Sequence, residues 1–139
     1  MSIEVNQVTY TYMPQTAFER TALSKITLTI EEGVLTAIAG HTGSGKSTLM
    51  QHLNGILHPT QGSVMVDGQD LAAKDKTAIT ARRRVGMVFQ YPEHQLFEET
   101  VEEDIAFGPK NLGLSAEEIA RRVRRAMELV RLDYDTYRE

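Results

Sequence analysis

The sequence predicts an α/β fold, a parallel core of buried strands with an antiparallel β layer beside it. Three observations carry this. An apolar run, Val34-Leu35-Thr36-Ala37-Ile38-Ala39, leads into GHTGSGKST, Gly40 to Thr48, and then into Leu49-Met50-Gln51-His52-Leu53, which reads as the start of a helix. The segments ahead of it alternate apolar and polar residues at a period of two, as half-buried strands do. A second apolar run, Val85-Gly86-Met87-Val88-Phe89, has the composition of another core strand.

Composition sets the bounds. A chain of 139 residues is normally one domain and can bury a real core. Hydrophobic residues make up 41% and charged ones 24%, ordinary for a soluble globular protein. The net charge of −4 gives no bias toward nucleic acid or anionic lipid. The absence of cysteine excludes disulfides and thiolate metal sites and suits a reducing cytoplasm. No apolar run approaches the ~20 residues that span a bilayer. MSIEVNQVTYTY lacks the basic and apolar regions of a signal peptide. Any membrane connection is therefore expected through a partner.

In order, Ile3 to Val8 alternates as a strand, Tyr10 and Tyr12 follow, and Met13-Pro14-Gln15 reads as a loop. Ile26, Leu28 and Ile30 share one face of the next strand, with Thr27 and Thr29 on the other, and Glu31-Glu32-Gly33 turns into the buried strand over 34–39. Gly40, four residues, Gly45, Lys46 and Ser47 then fit the phosphate-loop (Walker A) spacing. A triphosphate needs dense positive potential without bulk. Gly43 and Gly45 let the backbone curl so that N–H groups point inward, and the following helix adds about half a positive charge at its N-terminus. Lys46 reaches the β- and γ-phosphates, and the Ser47 hydroxyl can ligate Mg²⁺. The nucleotide-binding set is Gly40, His41, Thr42, Gly43, Ser44, Gly45, Lys46, Ser47 and Thr48; the His41 side chain is expected to point away, with no catalytic part.

Gly55 fits a helix C-terminus with Pro59 beyond it. Ser63 to Val66 reads as a strand ending in an Asp67-Gly68 turn. Three apolar residues before an aspartate resemble a Mg²⁺-holding strand, but Asp67 precedes a glycine and comes soon after Lys46, so the turn reading is preferred. Arg82-Arg83-Arg84 is read as a solvated helix end, because acidic residues lie nearby and no aromatics interleave. Gln90-Tyr91-Pro92 ends the Val85–Phe89 strand. Two helices follow, with capping boxes at Thr100/Glu103 and Ser115/Glu118. The second places Ile119, Val123, Met127 and Val130 on one face.

The order of phosphate loop, hairpin, polar helix, strand and Gln90 resembles the ATPase subunits of ATP-binding-cassette (ABC) transporters. FQYPEHQLF, from Phe89, and ETVEEDIAFGP, from Glu99, with GHTGSGKSTLMQHLNG, are similar to the energy-coupling-factor branch, the cobalt- and vitamin-importer ATPases. The resemblance runs over essentially all 139 residues. It implies a P-loop NTPase core of the ABC ATPase type, with an antiparallel β layer and the start of a helical subdomain. Residues 1–89 are the core with the β layer and phosphate loop; residues 90–139 are the glutamine loop and helical subdomain. ATP and Mg²⁺ are the implied cofactors. Tyr12 falls where the family's aromatic stacks on adenine, against the plainer reading of a strand-end tyrosine on the sheet, with Tyr10 the fallback. Gln90 falls where an amide contacts Mg²⁺ or the attacking water and relays nucleotide state, so Lys46 and Gln90 are the catalytic candidates and Ser47 and Gln90 the metal ligands. Implied partners are a second ATPase subunit, identical or not, a transmembrane coupling subunit and a substrate-binding membrane subunit, at the cytoplasmic face of the membrane and without nucleic acid. Leu96, Phe97 and Phe107 are candidate contacts for a helix of the membrane subunit; the competing reading is that they fill the subdomain core.

The departures matter as much. After Gln90 there is no Gly-Gly pair, so the LSGGQ signature is absent, and no four apolar residues end in Asp-Glu, so the Walker B strand with its Mg²⁺-holding aspartate and catalytic glutamate is absent. The chain reads as the N-terminal portion of such an ATPase, expected to be inactive alone. The expected function is an ATP-binding subunit coupling hydrolysis to uptake of a vitamin or metal ion. The alternatives are a non-catalytic nucleotide-binding remnant and the ATPase of another importer class. A P-loop kinase is a further class, against which the transporter-like order argues.

Overall fold

The computed structural model describes all residues, Met1–Glu139. They form two units, Met1–Met87 and Val88–Glu139.

In the first unit, β1 (Ile3–Tyr12), β2 (Arg20–Ile30), β3 (Gln61–Val66) and β4 (Gln69–Asp70) form one sheet in the order β2-β1-β3-β4, antiparallel at every pairing. Ile3, Val5 and Val8 face the core from β1. The step from Val5 to Val8 breaks strict alternation through paired bulges. Gln7 (φ 50°) is the extra residue on β1, and Lys25 (φ 50°) restores the register on β2. Each bulged N–H finds a threonine across the ladder: Gln7 N donates to Thr27 Oγ1 at 3.0 Å, and Lys25 N to Thr9 Oγ1 at 3.1 Å. The β3 residue facing the β1 bulge is Gly62, where a Cβ would stand 2.4 Å from the Asn6 carbonyl oxygen. Only glycine fits there.

α1 (Lys46–Leu53) lays Leu49 and Leu53 on the sheet. α2 (Lys76–Arg82) is N-capped by Asp75, which accepts the Ala78 N–H at 3.0 Å, and its fully buried Ala78 and Ala81 let it pack closely. Asp67 (φ 47°) and Gly68 (φ 76°) make the two-residue turn between β3 and β4. The Asp67 carboxylate accepts the Ser2 N–H at 2.8 Å and pairs with Arg84, which ties the start of β1 to the end of β3. The turn reading of Asp67 is correct, and its carboxylate has a structural job.

The expected parallel core does not form. Residues 34–39 join no sheet, and Val34 and Leu35 are 55% and 99% exposed. Residues 85–89 join none either, with Val88 79% exposed. A parallel strand takes its hydrogen bonds from neighbours distant in sequence. None pairs with these runs, so apolar composition alone does not make them strands. Ile38 and Val85 still pack against the core of the first unit. The class is mixed α/β, with its sheet wholly antiparallel.

The second unit has a one-turn 3₁₀ helix at Pro92–Gln95, then α3 (Val101–Asn111), α4 (Ala116–Leu129) and α5 (Tyr134–Tyr137). Ala106, Val123 and Met127 are its buried core, with Ile105, Ile119 and Tyr134 packed around them. Thr100 and Ser115 cap α3 and α4 by accepting the N–H groups of Glu103 and Glu118. The return half of each capping box is not made. Glu103 takes the Thr100 hydroxyl, and Glu118 is drawn to Arg121 and Arg122, whose hydrogen bonds lower its carboxyl to about 2. Val130 leaves the expected face: α4 ends at Leu129, and Val130 is 66% exposed. The Tyr134 ring lies beneath the Arg124 guanidinium at 3.9 Å.

Candidate functional site

The loop from Gly40 to Thr48 opens α1, whose first residue is Lys46. Gly43 (φ 82°) and Gly45 (φ 92°) are left-handed, the backbone that an inward-curling loop requires. Gly45 also passes close to β2, since a Cβ there would stand 2.7 Å from the Ala22 carbonyl oxygen. The loop is therefore fixed against the sheet at its helical end and open to solvent at Thr42 to Ser44.

Lys46 reaches back across the loop. Its Nζ donates to the carbonyls of Gly40 at 2.7 Å and His41 at 2.8 Å. An anion entering the loop would exchange those carbonyls for phosphate oxygens around a cation already in place. Ser47 is exposed, and its hydroxyl makes no hydrogen bond to protein. His41 is exposed, with Nδ1 2.8 Å from the Thr42 carbonyl. Thr48 is buried, and its hydroxyl lies 3.1 Å from the Tyr12 hydroxyl. That contact fixes the end of β1 beside the first turn of α1.

Tyr12 is 38% exposed, with its ring edge-on to Tyr10 at 4.8 Å. Tyr10 is turned instead against His52, ring to ring at 4.7 Å, and packs on the core. Of the two candidates, Tyr12 presents the freer ring. His52 is fully buried, and its Nδ1 bonds the Thr48 carbonyl at 2.7 Å. A carbonyl only accepts, so Nδ1 carries the proton and Nε2 is left as a lone pair with no partner. Burial holds the His52 pKa below its usual 6.5, outweighing the Thr48 carbonyl, which raises it. The link from His52 through Thr48 to Tyr12 escaped sequence reasoning because no short-range pattern marks it.

Gln90 lies in the second unit, exposed, lining a cavity of about 400 Å³ with Phe89, Tyr91, His94 and Gln95. Leu96, Phe97 and Phe107 stand outside that unit's core, 68%, 61% and 43% exposed, with the Phe97 and Phe107 rings edge-to-face at 4.7 Å. No helix is long and apolar enough to cross a membrane.

Against known proteins, a family model described as ABC transporter matches residues 23–139. The chain belongs to the ABC transporter family. It is 55% identical over its full length to the energy-coupling factor transporter ATP-binding protein EcfA2 of Clostridium perfringens, and 52% identical to the protein of that name from Clostridium acetobutylicum. It covers 49% of each, so the chain spans about half the length of the curated relatives it matches. Among solved structures it resembles cbiO1 of Clostridium perfringens, described as part of the ABC transporter complex cbiONQ, with a TM-score of 0.78 and 36% identity over 95% of this chain and 51% of that one. It also resembles the ATP-binding cassette MJ0796 bound to ADP and Pi, with a TM-score of 0.81 and 26% identity over 99% of this chain and 60% of that one. For this ABC family chain, the loop at Gly40–Thr48 sits in a fold shared with a cassette solved bound to nucleotide.

Proposed function

We propose that this chain is the nucleotide-binding portion of an energy-coupling factor ATPase subunit, taking MgATP at Gly40–Thr48. The carrying observation is the loop itself: two left-handed glycines leading into α1, with a lysine already turned over the loop and a free serine hydroxyl in the first turn of that helix. Loop N–H groups and Lys46 hold the phosphates, and Tyr12 stacks on the base. Mg²⁺, a hard cation that prefers oxygen donors, fits the Ser47 hydroxyl together with phosphate oxygens and neutralises phosphate charge when bound. Gln90 supplies an amide for the metal or the attacking water.

In the whole subunit this site serves ATP hydrolysis across a pair of ATPase subunits. Hydrolysis drives uptake through a transmembrane coupling subunit and a substrate-binding membrane subunit, with the ATPases peripheral at the cytoplasmic face. The exposed Leu96, Phe97 and Phe107 offer the second unit an apolar contact for such a partner. The isolated 139-residue chain binds nucleotide without sustained turnover, since a missing general base typically costs ~10²–10⁴-fold.

Thermal unfolding tests the binding. MgATP at about 100 times its Kd stabilises by about 2.7 kcal/mol, raising the midpoint of the first unit by roughly 10–20 °C. An unmoved midpoint at millimolar MgATP would refute the proposal.

A further inference from the structure

Arg20 is a charged group at the loop that the nucleotide site described above does not use. It opens β2 and is the antiparallel partner of Tyr12, the last residue of β1. That register brings its guanidinium to the loop: a methyl group built at Gly43 would stand 3.7 Å from Arg20 Nη2. Arg20 is exposed, and no carboxylate pairs with it. The adjacent Glu19 is engaged in its own turn, where its carboxylate accepts the Gln15 N–H at 2.7 Å. No acidic residue occurs anywhere from Gly33 to Gly62. The loop mouth thus gathers Arg20, Lys46 and the N-terminus of α1 with no counter-charge in the same stretch.

The geometry points to Arg20 as a further ligand of the nucleotide's phosphate chain, reaching oxygens beside Gly43. This rests on the proposed nucleotide reading. A guanidinium presents two parallel N–H groups to an oxyanion, where the Lys46 ammonium acts as a point charge. The placement divides the labour on one side of the site: Tyr12 takes the base, and its cross-strand partner takes the phosphates. A solvated arginine with no role would equally leave the protein fold intact when replaced, so binding must decide.

The test is equilibrium titration with MgATP and, separately, with magnesium tripolyphosphate, for wild type, Arg20→Ala, Arg20→Lys and Lys46→Ala. Arg20→Ala should weaken both ligands about tenfold, the range of one exposed charge-assisted hydrogen bond, and Arg20→Lys should recover part of the loss. Unchanged affinity for both ligands in Arg20→Ala would overturn the inference. So would a loss confined to MgATP, which would assign Arg20 to the ribose or base. Lys46→Ala separates the two levels. If it abolishes binding while Arg20→Ala does nothing, the Arg20 assignment alone fails. If neither variant changes either affinity, the nucleotide reading fails with it.

Discussion

Replacing Gly45 with alanine perturbs the loop where it is most tightly built. At φ 92° an L-residue is in the left-handed region, which costs about 1–2 kcal/mol. The new Cβ would also stand 2.7 Å from the Ala22 carbonyl oxygen and 3.1 Å from Leu23 Cδ2. The carbonyl belongs to β2 and cannot swing aside, so overpacking adds about 1–3 kcal/mol. The sum, about 2–5 kcal/mol, is a large part of the ~5–15 kcal/mol that ordinarily holds a domain. Gly43 supplies the control. Its φ of 82° carries the same backbone cost, but a Cβ there meets nothing nearer than Arg20 Nη2 at 3.7 Å, an ordinary contact. Gly45→Ala should therefore be less stable than Gly43→Ala by at least about 1 kcal/mol, read as a urea midpoint lower by roughly 0.5 M or more in circular dichroism. Equal midpoints would refute the close approach of loop to sheet on which the site's rigidity depends.

Tyr12→Ala should weaken MgATP about tenfold and leave magnesium tripolyphosphate unchanged, because only the base stacks; Tyr12→Phe, which loses only the hydroxyl contact to Thr48, should bind MgATP nearly as well as wild type. An equal loss for both ligands in Tyr12→Ala would move the base elsewhere, Tyr10 first. The buried His52 makes stability depend on pH. Its folded pKa lies below the unfolded 6.5, so the unfolded chain takes up the proton first. Its contribution is fully present above about pH 6.5 and is lost as pH falls from there through the folded pKa. Urea midpoints measured between pH 7.5 and 5 should decline in wild type and decline less in His52→Leu; parallel declines would remove His52 as the cause.

What the sequence revealed tracks how local each signal is. The loop was legible because Gly40, Gly45, Lys46 and Ser47 carry its geometry within eight residues. The antiparallel pair was legible from the alternation of Ile26, Leu28 and Ile30, and the Asp67-Gly68 turn from two residues alone. The bulges were not, because Gln7 and Lys25 are ordinary polar residues whose left-handed backbone is set by threonines on the opposite strand. The runs over 34–39 and 85–89 carry the composition of strands but join no sheet, because a parallel strand is defined by distant partners, not by its own apolar residues. Val130 was misplaced by carrying the α4 period one residue past the helix end at Leu129. Arg20 was invisible because its place beside Gly43 depends on pairing with Tyr12 across the sheet.

The most direct measurement is calorimetric titration of MgATP into wild type and Lys46→Ala, on samples with matching far-ultraviolet circular dichroism. Lys46 Nζ already stands over the loop carbonyls of Gly40 and His41. Backbone dipoles offset the charge of a triphosphate only in part. The account predicts saturable one-to-one binding in wild type and at least a tenfold loss in the variant. Equal affinities, or no binding in wild type, would contradict it.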